Sequence, residues 1–215
     1  MNRIALPLLA LVLVFLSACA PDVPGPVAIV NGIEISREEF DREVDYELAS
    51  FIQGDYELTE EELELVQEAV LERLINNCLL LEAAAAVGIT RETVDYEGTI
   101  AEIIANYESE AEFEAELLES GFSLEEFRGL IADALVIEEL FEAELQLSSL
   151  EVSDEEIEVV VAEYLATMGE EAQDIDPEDV RFYVALSLLE EMAYEQKMAY
   201  TQGLWEQSDI EYFEL

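Results

Sequence analysis

The chain carries 2 cysteines, 53 carboxylates and no histidine, and that inventory decides which reactions it can run. A thiol nucleophile needs a base to take its proton. With no imidazole anywhere, Cys78 has no such base. Its setting, Asn76-Asn77-Cys78-Leu79-Leu80-Leu81, reads as a small buried hydrophobe on a helix. Adjacent acids such as Glu61-Glu62 and Glu190-Glu191 read as solvated helix faces, because nothing positions a substrate between them. Asp174-Ile175-Asp176-Pro177-Glu178-Asp179 would attract a cation, yet it lacks the spacing and central Gly of a calcium loop, and capping of the following helix accounts for it. The sequence contains no zinc-ligand cluster and no Gly-rich phosphate loop. The expectation is a protein with no catalytic residues, no metal and no cofactor.

Cys19 is a different case. It closes Leu16-Ser17-Ala18-Cys19, directly after an apolar run from Ile4 to Phe15 with Arg3 ahead of it. A positive start, a short apolar stretch and small residues before the cut describe a secretory signal. The Leu-Ser-Ala-Cys ending resembles the bacterial lipobox. That resemblance implies that the Cys19 thiol takes a diacylglycerol, that residues 1–18 are removed, and that acyl chains hold the protein at a membrane. Residues 19–26 are then the lipidated Cys and a Pro-rich spacer, and residues 27–215 one folded unit. With Cys19 acylated, Cys78 has no partner for an internal disulfide.

The charge is extreme: 8 basic residues against 53 acidic ones give a formal net of −45. No basic patch can be assembled, which rules out nucleic acid as a partner. Such charge usually signals disorder. Here 52% of the residues are apolar and they recur at helical spacing, so the chain folds. The acid reads either as a functional surface for cations or basic clients, or as adaptation to a salty medium. In the second case, screening to about 3 Å near 1 M salt removes the self-repulsion; salt adaptation is the favoured reading.

Behind the spacer, Val27 to Ile35 reads as a hairpin, because Asn31-Gly32 supplies the two positive φ angles of a type I′ turn. The rest is helical. Ser36-x-x-Glu39, Thr59-x-x-Glu62, Ser109-x-x-Glu112, Ser123-x-x-Glu126 and Ser153-x-x-Glu156 are capping boxes, and Asp176-Pro177 is a further start. Gly54, Gly88, Gly121 and Gly169 are stops. Helices are expected over 37–53, 60–87, 91–107, 110–119, 124–147, 154–168 and 177–207. Expected inner faces are Leu63, Val66, Val70, Leu74, Cys78 and Leu81; then Leu124, Phe127, Ile131, Leu135 and Leu145; then Ile157, Val161, Tyr164, Leu165 and Met168. On the last helix they are Tyr183 or Val184, Leu188, Met192, Ala199 and Trp205. That helix spans about 45 Å and should bridge two lobes. Ile210, Tyr212 and Leu215 are expected to face the core from a final strand paired with the hairpin.

The stretch Val27-Ala28-Ile29-Val30-Asn31-Gly32-Ile33-Glu34-Ile35-Ser36-Arg37-Glu38-Glu39-Phe40 resembles the opening of SurA-type periplasmic chaperones and PrsA-type foldase lipoproteins. Leu74 to Ala83, Gly88-Ile89-Thr90, Gly121-Phe122-Ser123-Leu124-Glu125-Glu126-Phe127-Arg128, Val152 to Ile157 and the tail from Val180 to Leu215 continue that resemblance in order. It implies a mainly α, multi-helix SurA-N-like chaperone fold whose short N-terminal hairpin pairs with a C-terminal strand. The family's parvulin-type prolyl isomerase domain would lie between the last two helices. Only Gly169 to Asp176 separate them, and a folded domain needs roughly 50 residues or more, so the isomerase is absent.

The resemblance and the signal together imply a lipid-anchored, ATP-independent holder of unfolded or exported polypeptides outside the cytoplasm, on the periplasmic side or cell surface of a bacterial membrane. Phe51, Tyr56, Phe122, Met168 and Met192 are the candidate client contacts, being adaptable or aromatic side chains, several of them near helix ends. The alternative is a structural or adaptor lipoprotein that binds one envelope partner, with a homodimer among its forms.

Overall fold

A computed structural model describes residues 25–51, 58–168 and 176–215. Two short strands, β1 (Ala28–Val30) and β2 (Ile33–Ile35), pair antiparallel with Val30 opposite Ile33. Asn31 and Gly32 sit at φ 50° and 87°, the type I′ geometry that this dipeptide tolerates. A third strand, β3 (Ile210–Tyr212), pairs antiparallel with the other edge of β1, giving the order β2-β1-β3. The chain is thus closed on itself, as expected.

Seven helices lie between these strands among the described residues: α1 (Arg37–Phe51), α2 (Glu60–Ala86), α3 (Tyr96–Ile104), α4 (Glu110–Glu119), α5 (Leu124–Leu145), α6 (Asp154–Met168) and α7 (Pro177–Gln207). Their starts follow the hydroxyl–carboxylate code. Thr59, Ser123 and Ser153 each accept from the backbone N–H three residues on, while the carboxylate there accepts from the cap's own N–H. At Ser109 the reciprocal arm reaches one residue further, with Glu108 N–H donating to Glu112. Gly88 and Gly121 end α2 and α4 at φ 85°. Gly54 and Gly169 lie outside the described residues.

Three helices end or begin elsewhere than expected: α2 stops one residue early at Ala86, α3 is shorter at both ends and ends at Ile104, and α5 stops two residues early. α3 begins at Tyr96, not at 91, because Thr90 and Thr93 close a local turn through side chain and backbone. Asp95 then caps from a carboxylate that accepts from Gly98 N–H at 3.0 Å. A β-carbon at residue 98 would fall 2.5 Å from that carboxylate, so a side chain there would have to displace the capping Asp95. α5 stops at Leu145, because Gln146 turns left-handed at φ 51° and Leu147–Ser149 form a 3-10 turn.

The core has three parts. Val27, Ala28, Val30 and Ile35 of the sheet pack with Phe40 and Val44 of α1 and with Val70, Leu71, Leu74, Ile75 and Leu79 of α2. Leu80 and Ala84 of α2 meet Val136, Leu140 and Phe141 of α5, with Tyr200 and Leu204 of α7 against them. Ile157 and Val161 of α6 meet Val180, Val184 and Leu188 at the start of α7. α7 therefore reaches all three clusters, the third from its start and the first two from its end, as its length suggested. α2 corrects the single expected stripe: it buries Leu71, Ile75 and Leu79 as well, because the sheet and α1 cover it over more than one face, while Leu63, Val66, Cys78 and Leu81 stay half-buried. On α5 the buried face turns to Ala132, Val136, Leu140 and Phe141. Tyr164 of α6 is exposed, and Val184, not Tyr183, faces inward on α7. Of the tail residues expected inside, Ile210 packs on the core, whereas Tyr212 and Leu215 are exposed.

Candidate functional site

The best-built concavity is a cleft of about 750 Å³ walled by β2, α1, α2, α5 and α7. Its floor is apolar, with Leu74 and Leu81 from α2 and Ile137 and Phe141 from α5. These residues face the cleft because α2 and α5 pack side by side, with Leu80, Ala84, Val136 and Leu140 buried together between them. Ile33 of β2 and Leu130 of α5 are half-exposed at the mouth.

The charges around it are unlike those of the chain at large. Arg42, Arg73, Arg91 and Lys197 line it, half of the 8 basic residues, against Glu34, Glu39, Glu43, Asp133 and Glu138. Arg91 holds Asp133 with two hydrogen bonds of 2.6 Å. Arg73 donates to Glu43 at 3.1 Å, and that pairing is what lets Glu43 sit only 7% exposed. Arg42 reaches Glu126 at 3.8 Å. Burial pushes the Glu39 carboxyl above its ordinary value, with Arg42 opposing and Glu43 and Asp133 adding to the rise. The Cys78 thiol, also in the wall, is pushed up by burial and by the nearby Glu82 and Glu39, so it stays a thiol and acts as apolar lining. A nearly charge-balanced, apolar-floored cleft in a chain of net −45 is a place where an uncharged or apolar segment can lie in contact with few uncompensated charges.

Lys197 and Phe141 close one end. The ammonium sits 5.3 Å from the Phe141 ring centroid, over its face, and Phe141 stacks edge-on against Tyr200 at 6.0 Å. Lys197, Phe141 and Glu138 also line a second concavity of about 770 Å³ that runs on between α3, α5 and α7. A third, of about 760 Å³, lies between α1 and the α4–α5 turn, where Phe122 meets Tyr46 edge-on at 4.9 Å.

Of the sequence candidates, Phe122 lines that third hollow. Met168 ends α6 and Met192 sits midway along α7; both are half-buried and line none of these three concavities. Phe51 ends α1 with its side chain outside the described residues, and Tyr56 and Cys19 lie outside them too. The sequence reading missed Arg73, Arg91, Phe141 and Lys197. Their only sequence signal is the rarity of cations, and their scatter along the chain hides the convergence. Among the described residues no group of acids, Cys or His is arranged to hold a metal.

The hairpin and the α2 side of the floor coincide with a known module: the model of the SurA-like N-terminal domain matches residues 3–120. The chain belongs to that family. It is a chaperone-type family, and no curated protein matches the chain. In this SurA-like chain the matched part contains β1, β2 and α1 to α4, whereas the α5 and α7 walls, with Phe141 and Lys197, lie beyond it. Among the described residues, no helix is long and apolar enough to cross a membrane.

Proposed function

We propose that this SurA-like protein is a lipid-anchored, ATP-independent holder of unfolded or exported polypeptides outside the cytoplasm. The observation that carries the reading is the apolar-floored, charge-balanced cleft of a chaperone-type module. Exposed apolar client segments gain about 25 cal/mol for each Å² removed from water there. Few fixed polar contacts mean low sequence selectivity, and release follows from weak affinity, since the sequence has no nucleotide motif. The acidic exterior keeps the loaded complex soluble. The protein is not an enzyme in this reading: the segment between α6 and α7 is too short for an isomerase, and the chain has no histidine. Cys19 acylation would place the cleft within a short spacer of the membrane surface.

A second reading has its own support. α7 exposes Phe182, Tyr183 and Tyr194 at 66, 67 and 63%, a set of rings suited to one folded envelope partner. Aggregation of two unrelated unfolding clients, at low and molar salt and beside an inert acidic control, separates the two. Suppression of both clients supports the holder; suppression of neither supports the adaptor. Full membrane partitioning of a Cys19→Ser protein would remove the lipid anchor.

A further inference from the structure

Among the described residues, Lys197 is the one cation whose charged group makes neither an ion pair nor a hydrogen bond. Arg42, Arg73, Arg91, Arg128 and Arg181 each pair with at least one carboxylate. Arg37 donates to the Glu214 carbonyl. Among the described residues Lys197 pairs with no carboxylate, and its ammonium lies 5.3 Å from the Phe141 ring centroid. A sole lysine among 53 acids would be expected to find one. It sits at the junction of the two concavities, with Leu81, Ile137 and Phe141 on one side and Val94, Leu135 and Leu147 on the other; Glu138 lies at the same junction and Asp95, Glu139 and Glu142 line the second concavity without forming an ion pair to it.

We propose that Lys197 is the anchor for a side-chain carboxylate carried inside an extended, otherwise apolar polypeptide segment. The inference rests on the holder reading and names its client class. The occupant follows from two features. The first is charge: among the described residues the Lys197 ammonium has no ion pair and lies over an aromatic ring beside Leu81, Ile137 and Leu135, so the group that complements it is a single carboxylate flanked by apolar side chains. The second is continuity. Lys197, Phe141 and Glu138 are common to both concavities, so a segment that crosses over Lys197 runs from one into the other, and the anchored carboxylate then belongs to a residue within the segment and not to a chain end. Glu138, at the same junction, opposes an indiscriminate pull on anions and limits the preference to a carboxylate in contact with the ammonium. The net charge of −45 repels acidic segments at long range. Salt shortens that reach to about 3 Å near 1 M, whereas a contact pair in a cleft is screened much less. The preference for acid therefore emerges at high salt.

The test uses the purified full-length protein and three fluorescent apolar peptides with amidated ends, differing at one central residue: Glu, Gln or Lys. At about 1 M salt the Glu peptide should bind about fivefold tighter than its Gln twin, the upper range of a partly exposed ion pair. At about 0.05 M salt that order should reverse. Lys197→Gln should bring the Glu-to-Gln ratio at high salt to about one, and Lys197→Arg should keep it, with circular dichroism confirming that both variants are folded. A ratio of one in the parent protein, tighter binding of the Lys peptide at high salt, or equal binding by a Gln peptide whose only carboxylate is terminal would each overturn the anchor. If the peptides bind with a ratio of one, the holder reading survives without it. If none binds at any salt, the holder reading falls as well.

Discussion

Asn31 and Asp209, 178 residues apart, hold each other through two hydrogen bonds: Asn31 N–H donates to the Asp209 carbonyl at 2.8 Å, and Asp209 N–H donates to Asn31 Oδ1 at 2.9 Å. The same Asn31 amide donates to Glu82 of α2 at 2.6 Å. One turn residue thus fastens the hairpin, the central helix and the return of the chain. The tie seats the end of α7, where Trp205 Nε1–H donates to Asn76 Oδ1 at 2.5 Å, and two turns further back lies Lys197.

Asn31→Ala should therefore destabilise the protein by about 2–4 kcal/mol, from the lost side-chain hydrogen bonds and from forcing alanine to φ 50°. Asn31→Gly keeps the backbone comfortable and loses only the bonds, so its cost should be about 1–2 kcal/mol. Urea unfolding midpoints measure both. Equal costs would mean that the turn conformation contributes nothing.

The elements of this fold were legible because their signals are local. Thr59, Ser123 and Ser153 face their Glu partners three residues on whatever the rest of the chain does, and Asn31-Gly32 bends the same way in any hairpin. The errors arise where tertiary contact decides. Periodicity gave α2 one stripe, but the sheet and α1 also bury Leu71, Ile75 and Leu79. Tyr212 alternates correctly for a strand, yet β3 is an edge with nothing over it. The cleft was invisible for the same reason: Arg73, Arg91, Phe141 and Lys197 converge only once α2, α5 and α7 are packed.

Two sets of carboxylates should give stability opposite pH trends. Glu39 has its folded value raised, chiefly by burial, so the native state binds the proton more tightly than the unfolded chain. The resulting penalty is absent below the ordinary 4.5, grows as pH rises to the folded value, and is complete at neutral pH. Glu126, Glu142 and Glu156 are held below 4.5 by the hydroxyls of Ser123, Ser148 and Ser153, then by backbone N–H donors. Their contribution is whole above 4.5 and is lost as pH falls through the lowered values. Glu39→Gln should raise the urea midpoint at pH 7 and leave it nearly unchanged at pH 4, measured near 1 M salt so that net repulsion is screened. A loss at pH 7 would show that the Glu39 charge is stabilising.

The net charge makes a separate prediction. At about 0.01 M salt the screening length is about 30 Å, comparable with the whole domain, so the 53 acids repel one another across it. At about 1 M it is about 3 Å and only contacts remain. The melting temperature should rise on the order of 10 °C across that range, which for a chain of this size corresponds to roughly 3 kcal/mol. A flat profile would detach the acidity from salt tolerance and point to a binding role for it.

The pairing of α6 with the first half of α7 should open independently of the rest. Its buried residues, Ile157, Val161 and Val180, form a cluster fed only by Val152 and by half-buried neighbours on the same two helices. Arg181 adds ion pairs to Asp154 and Glu158, but the two acids are largely exposed, so these are weak. α2, by contrast, is packed by the sheet, α1, α5 and α7. Native-state hydrogen exchange should find amides of residues 154–190 opening at a lower free energy than those around Ile75. Ile157→Ala, costing about 2–4 kcal/mol locally, should speed exchange in that segment more than tenfold and leave the Ile75 region almost unchanged. If both regions accelerate together, α7 transmits the loss along its length, the chain is one cooperative unit, and the exposed Phe182 and Tyr183 ride on the same rigid body as the cleft.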